Sequence, residues 1–259
     1  MKDQLQRTLT FKATPKRIVS LVPSQTEMLH DLGLEDHIVG ITKFCIHPKH
    51  YKKSKTIVGG TKQVHYDKIK ALKPDVILCN KEENTKEIVS ELEKIAPVHV
   101  SDIFTVNDAL ELFTQYGKLF AIETTANAFV DKIKGKQKTF LKLIKNTPPK
   151  KVAYFIWRNP WMVAASNTIV NHLLELNNFE NCFAAKMRYP EVSLEMLKQQ
   201  NPEIVLLSSE PYPFKEKHIA EIQKVVPNAK VLLVDGEMFS WYGTHLLQAF
   251  DYYQKLHKI

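Results

Sequence analysis

Aromatic and charged side chains concentrate in eight short segments that separate the apolar runs of the chain. The segments are residues 22–25, 44–48, 59–62, 80–84, 157–161, 188–190, 210–214 and 236–242. All three tryptophans, Trp157, Trp161 and Trp241, fall in two of them. Aromatic rings stack on flat or apolar ligand faces, so the segments predict a surface that binds a bulky ligand. Tryptophans that fill the protein interior are the alternative.

Charged residues in these segments have two alternative roles, in ligand binding or in ordinary surface and salt-bridge contacts. Four glutamates stand in them and either bind a cation or a ligand's amide edge, or are solvated surface groups: Glu82, Glu83, Glu210 and Glu237. Arg158 and Arg188 can offer two parallel N–H donors to a ligand carboxylate or phosphate. A salt bridge from either arginine to one of these glutamates is the alternative.

Enzyme motifs are missing from the sequence. It contains no GxSxG, GxxxxGK[ST], GxGxxG or HExxH pattern. Ser24 follows an apolar run, but the preceding proline and the lack of flanking glycines predict a turn residue. A carboxylate pair such as Glu82 with Glu210 stays open as an acid/base alternative. We therefore expect no catalytic residues and no catalytic cofactor.

Soft ligands for a metal ion occur close together in one part of the chain. They are Cys45, His47, His50 and His65, and their spacing matches no standard zinc pattern. We therefore expect no metal site. The three cysteines of the chain are odd in number and far apart, which predicts free thiols.

Composition limits the classes of protein to which the chain can belong. The 259 residues are 44% hydrophobic and 25% charged, with 8 Gly and 13 Pro, which excludes disordered and fibrous chains. The net charge is +8, but the only dense basic run is the short segment 52–55, so we expect no nucleic-acid partner. No apolar run suits a signal peptide or a membrane span, so either a leader has been trimmed or Met1 is the native start.

Apolar periodicity predicts strands that alternate with helices, the pattern of an α/β protein with parallel sheets. Residues 69–78 and 197–206 repeat one pattern, a helix end, a proline and an apolar strand. We therefore predict an N-terminal lobe over 1–104 and a C-terminal lobe over 151–259. Between them, 105–150 predicts two helices with Gly117 and Gly135 as breakers, the second over about 124–144 and roughly 30 Å long.

Three stretches carry a resemblance to a known family: residues 17–27 (RIVSLVPSQTE), 72–77 (LKPDVI) and 189–195 (YPEVSLE). The chain resembles the class III, helical-backbone substrate-binding proteins of ABC importers, which include vitamin B12-binding and ferric-siderophore-binding proteins. The resemblance implies two Rossmann-like lobes joined by a long backbone helix. It implies a noncatalytic importer component that captures cobalamin, haem or a ferric chelate in the inter-lobe cleft and closes over it only slightly.

Site residues follow by position in the motifs. Phe44 and Tyr189 keep aromatic character, whereas Thr61 and Asn80 stand where vitamin B12-binding members carry tryptophans, and Trp241 replaces an arginine. The expected ligand-binding residues are Ser24, Phe44, Thr61, Asn80, Glu83, Trp157, Arg158, Trp161, Tyr189, Glu210, Tyr212, Glu237 and Trp241. An acidic residue on each lobe is expected to dock the permease: Asp67 and Glu195.

The resemblance also sets partners and location. It implies a monomer in the periplasm or cell envelope that meets the membrane only through an ABC permease. Two alternatives remain: a cytoplasmic metal-chelate binder or sensor, if Met1 is the native start, and a bilobal tetrapyrrole-metallating enzyme.

Overall fold

The computed structural model describes residues 1–258 and divides into two compact units. The first unit comprises residues 1–103, 107–134 and 242–246. The second comprises 104–106, 135–241 and the chain from Leu247 onward. Each unit holds one five-stranded sheet, so the predicted α/β class with parallel sheets in two lobes is confirmed. The exact lobe boundaries stay a prediction.

The sheet of the first unit is parallel throughout. Its strands are β1 (Ile18–Ser20), β2 (Ile38–Ile41), β3 (Thr56–Ile57), β4 (Val76–Asn80) and β5 (Val98–Ser101). They lie in the order β3-β2-β1-β4-β5. Strands β1 and β4 are fully buried and apolar except for their last residues, Ser20 and Asn80, as expected for inner strands of a parallel sheet that is covered on both faces.

Four helices connect these strands: α1 (Pro23–Asp31), α2 (Tyr51–Ser54), α3 (Tyr66–Ala71) and α4 (Lys86–Leu92), with a 3-10 turn at Glu35–His37. Pro23 opens α1, where its missing N–H costs nothing. Thr85 caps α4 because its hydroxyl accepts a hydrogen bond from the Ile88 N–H.

Two long helices follow, α5 (Val106–Phe120) and α6 (Glu123–Ile144), as predicted for this stretch. Gly117 and Gly135 lie inside these helices, so their prediction as breakers is wrong. A Cβ on Gly117 would come within 3.0 Å of the Ala126 Cβ, so this glycine allows the two helices to approach closely. Helix α6 passes from the first unit into the second after Lys134.

The sheet of the second unit mixes parallel and antiparallel pairs. Its strands are β6 (Lys150–Trp157), β7 (Met162–Val163), β8 (Phe179–Asn181), β9 (Ile204–Ser208) and β10 (Lys230–Val234). Strands β10, β9 and β6 are parallel neighbours, β8 pairs with the start of β6 in parallel, and β7 pairs with its end antiparallel. Strands β4–β5 and β9–β10 are adjacent parallel pairs, which matches the repeat seen in the sequence.

Helices α7 (Ile169–Leu176), α8 (Leu194–Gln200), α9 (Glu216–Val225), α10 (Glu237–Ser240) and α11 (Leu246–Leu256), with a 3-10 turn at Gly243–His245, complete the fold. Ser193 caps α8 because its hydroxyl accepts a hydrogen bond from the Met196 N–H at 3.1 Å. One face of the sheet packs through Phe155, Val205 and Leu207 into a core that includes Leu197 and Ile222. Across residues 1–258, no helix is long and apolar enough to cross a membrane.

Candidate ligand-binding loops

Four strands of the first unit end beside predicted site residues. Ser24 follows β1, Phe44 follows β2, Thr61 follows β3, and Asn80 is the last residue of β4. Because parallel strands end at one edge of a sheet, these residues share that edge, where ligands bind in doubly wound folds. Phe44 is 49% exposed, and the Lys43 ammonium lies 5.0 Å from the centre of its ring.

Asn80 is buried and shapes the loop that follows it. Its side-chain oxygen accepts hydrogen bonds from the N–H groups of Glu82 (2.8 Å) and Glu83 (3.2 Å), and its amide donates to the Ser101 hydroxyl at 3.0 Å. Asn84 closes the loop by accepting from the Asn80 N–H and donating to the Thr61 carbonyl. The Asn80 side chain therefore holds the loop that presents the two glutamates.

A buried polar network lies behind this edge and centres on Gln25, whose exposed fraction is 0%. The Gln25 side-chain amide donates to the Ser101 hydroxyl at 2.7 Å and to the Tyr242 hydroxyl at 2.8 Å. Its carbonyl oxygen accepts from the Tyr116 hydroxyl at 2.7 Å. Burial raises the pKa of both tyrosines, so both remain neutral donors. Sequence reasoning missed this network because its members are up to 217 positions apart.

The carboxyl end of β6 carries an aromatic group in the second unit. Trp157 was predicted in a loop, but it is the last residue of β6 because that strand extends to pair with β7, and it is 38% exposed. Tyr212 lies edge-on to Trp157 at 5.7 Å between ring centres. Trp161 stacks on Phe214 at 6.0 Å, so it is partly packed into the unit's core.

Arg158 forms a two-pronged salt bridge with Glu221. Its Nε and Nη2 atoms each donate to a Glu221 oxygen at 3.0 Å, and this carboxylate raises the pKa of the arginine. For Arg158 the partner is therefore not one of the four loop glutamates, because Glu221 lies on helix α9. The guanidinium also lies 5.4 Å from the centre of the Trp161 ring.

Glu210 follows β9 and is held by two donors. One of its oxygens accepts from the Ser240 hydroxyl at 2.8 Å and from the Trp241 indole N–H at 3.0 Å. Trp241 itself is only 7% exposed, so its ring mainly packs inside the protein. Burial raises the pKa of the Glu210 carboxyl, and the nearby negative charge of Glu237 raises it further. Glu237 begins helix α10.

Glutamine at position 210 is expected to stabilise the protein at neutral pH. Because its pKa is raised, the Glu210 carboxyl binds a proton more tightly in the folded protein than in the unfolded chain. Its contribution to stability is therefore complete at pH values below its unfolded pKa. That contribution is lost as the pH rises through its folded pKa. In Glu210→Gln the amide oxygen still accepts from Ser240 and Trp241. Urea unfolding at pH 7 and pH 4 checks this: the advantage of the variant should vanish at the lower pH. An advantage that is equal at both pH values contradicts it.

Three further residues named in the sequence analysis are Arg188, Tyr189 and Glu83. Tyr189 and Arg188 lie in the segment before helix α8, where Ala165 and Val163 donate backbone hydrogen bonds to the carbonyls of Arg188 and Pro190. Glu83 is half-buried in the loop after β4.

The cysteine and histidines considered as metal ligands have other neighbours. The Cys45 thiol lies 3.1 Å from the Thr26 hydroxyl and 3.2 Å from the Thr42 hydroxyl, and burial raises its pKa. His50 is 2.7 Å from a Glu35 oxygen. Within residues 1–258, no group of three or more His, Cys, Asp or Glu side chains has a geometry that could hold a metal ion.

Comparison with known proteins agrees with this arrangement. The chain is 27% identical over 214 residues to an uncharacterised ABC transporter substrate-binding lipoprotein, YvrC, of Bacillus subtilis, covering 79% of this chain and 67% of that protein. Its fold matches the periplasmic vitamin B12 binding protein BtuF of Vibrio cholerae, with TM-score 0.81, 19% identity and coverage of 95% and 98% of the two chains.

A second solved structure with this fold is the apo form of the periplasmic heme-binding protein RhuT from Roseiflexus sp. RS-1, with TM-score 0.81 and 16% identity, covering 94% of this chain and 98% of that one. The family model described as periplasmic binding protein matches residues 18–229. That range covers most of the chain and includes every strand except β10, so the chain belongs to the periplasmic binding protein family.

Proposed function

We propose that this protein is the noncatalytic substrate-binding component of an ABC importer and that it captures a corrinoid, haem or ferric-siderophore-type ligand. The observation that carries the proposal is the exposure of large aromatic side chains at the carboxyl ends of the strands in each unit, Phe44 in the first and Trp157 in the second. A flat or chelated ligand buries such rings, and burial of an aromatic face is strongly favourable. The relatives named for vitamin B12 and haem support this ligand class.

The side chains considered for catalysis have surroundings that favour a structural role. Ser24 is buried, and burial raises the pKa of the nearby Tyr242 hydroxyl, so this phenol stays protonated and is no base for activating a nucleophile. Glu210 accepts from Ser240 and Trp241. These contacts favour binding without turnover. Membership in a family of binding proteins supports the same conclusion.

Asp67 and Glu195 are the proposed permease-docking residues. Each is exposed in the first turn of the helix that precedes a central strand, α3 before β4 and α8 before β9. The internal repeat therefore places them at equivalent positions of the two units. We place the protein in the cell envelope, in line with the lipoprotein relative.

Alanine at Phe44 or Trp157 is expected to weaken ligand binding by roughly 10- to 100-fold, because removal of either ring loses about 1.5–3 kcal/mol of the free energy gained by burying it against the ligand. Quenching of tryptophan fluorescence first screens cyanocobalamin, cobinamide, haemin and ferric chelates against the unmodified protein. Isothermal titration then compares Phe44→Ala and Trp157→Ala, with Leu233→Ala as the control, because Leu233 is an exposed apolar residue on strand β10 outside the loops. Binding of none of these probes, together with turnover of a small substrate, contradicts the proposed function.

A further inference from the structure

The positive charge of this protein is concentrated in one segment. Residues 132–151 contain eight lysines and no Asp or Glu, which accounts for the whole net charge of +8. The rest of the chain carries 28 basic and 28 acidic residues. No carboxylate occurs between Asp131 and Glu175. The segment 52–55 is thus not the main basic feature of the chain.

Helix α6 gathers four of these lysines on one face: Lys134, Lys138, Lys142 and Lys145, the last immediately after the helix ends at Ile144. At 100° per residue the four positions lie within about 80° of the helix circumference and extend over roughly 17 Å. All four are exposed, whereas Ile133, Phe140 and Ile144 are buried on the other side. We call this face the lysine stripe.

Within the described part of the chain, the lysine stripe has no neutralising partner. Its four ammonium groups form none of the salt bridges found in residues 1–258. Two other lysines of the same helix differ: Lys136 pairs with Asp251, and Lys132 lies over the Phe129 ring. The stripe is therefore a row of uncompensated positive charge.

One exposed apolar side chain accompanies the lysine stripe. Leu141 lies beside it and is 39% exposed, whereas Leu143, which is 53% exposed, lies about 140° away around the helix from the centre of the stripe. Lysines with an adjacent leucine match a surface that offers negative charge and an apolar layer beneath it. A nucleic acid offers the charge but no apolar layer, and the stripe lacks the arginines and aromatic rings that contact bases.

We propose that the lysine stripe with Leu141 is a contact surface for an anionic phospholipid bilayer. This contact goes beyond importer function and beyond the expectation that the chain meets the membrane only through a permease. Each lysine near such a surface strengthens binding roughly fivefold, and the attraction extends about 10 Å at 0.1 M salt. Four lysines on one face therefore suffice for measurable, salt-sensitive binding.

Vesicle sedimentation tests the contact with the purified chain, in the absence of transport ligand. We expect binding to phosphatidylcholine vesicles that contain 30% phosphatidylglycerol, weak binding to pure phosphatidylcholine, and loss of binding at 0.5 M salt. The variant K134Q/K138Q/K142Q/K145Q should lower the partition constant at least 30-fold, because about fivefold is lost per lysine. Glutamine and lysine have similar helix propensities, and an unchanged circular dichroism melt confirms the fold.

A matched variant distinguishes the effect of the lysine stripe on vesicle binding from the effect of net charge alone. K12Q/K52Q/K53Q/K224Q removes four exposed lysines elsewhere and should change vesicle binding less than about threefold. Equal losses in the two quadruple variants overturn the proposal. Leu141→Ser should weaken vesicle binding several-fold without altering its salt dependence, whereas Leu143→Ser, about 140° away around the helix, should leave vesicle binding unchanged. Binding of a 20-base-pair DNA duplex as tight as vesicle binding, with no effect of Leu141→Ser, also overturns it in favour of a nucleic-acid contact.

Discussion

Leucine at position 25 is expected to lower the free energy of unfolding by about 3–5 kcal/mol. Gln25 is fully buried and bonds the hydroxyls of Tyr116, Tyr242 and Ser101. Leucine has a similar size but leaves these three buried groups with fewer partners, and each unsatisfied buried group costs about 1–3 kcal/mol. This is the largest stability change we expect from a single substitution in the first unit.

Urea unfolding measures this loss of stability, and an unchanged m-value checks that the variant still unfolds in the same two-state transition. Gln248→Leu, at an exposed position on helix α11, is the control and should stay within about 0.5 kcal/mol of the unmodified protein. Removing the tyrosine hydroxyls that Gln25→Leu leaves with fewer hydrogen-bond partners should restore part of the stability. Gln25→Leu combined with Tyr116→Phe and Tyr242→Phe should therefore be more stable than Gln25→Leu alone. A Gln25→Leu variant within 1 kcal/mol of the unmodified protein contradicts the importance of this network.

Reversal of charge at both Asp67 and Glu195 is expected to reduce uptake through the cognate permease at least tenfold while ligand affinity stays nearly unchanged. Both carboxylates are exposed, and among residues 1–258 neither forms a salt bridge that would tie it to the fold. Charges at the rim of an interface act mainly on association with a partner. Loss of favourable charge at the two helix starts should cost only about 0.3–1 kcal/mol each.

Glu87→Lys with Glu216→Lys is the matched control for this experiment. These residues are also exposed acids in first helical turns, on α4 in the first unit and α9 in the second, so the control repeats the charge change and the helix-dipole cost. Ligand uptake with the control variant should stay close to uptake with the unmodified protein. Unimpaired uptake by Asp67→Lys/Glu195→Lys would refute the docking assignment and leave both carboxylates as helix-start residues.

The sequence by itself determined the elements and their class. Apolar runs such as 76–79 and 204–207 predict buried parallel strands, and the structure has β4 and β9 there. The two long helices predicted within 105–150 are likewise present as α5 and α6. These features are local: neighbours in the chain decide them, so a periodic pattern is enough.

Only the tertiary structure decided which side chains pair and which stay free. Arg158 pairs with Glu221, 63 positions away, and Gln25 with Tyr242, 217 positions away. It also left the four lysines of the stripe on α6 without a salt bridge within residues 1–258, while Lys136 of the same helix pairs with Asp251. The physical reason is that an ion pair or buried hydrogen bond depends on distances between groups that the folded chain brings together, and no local pattern of residues contains those distances.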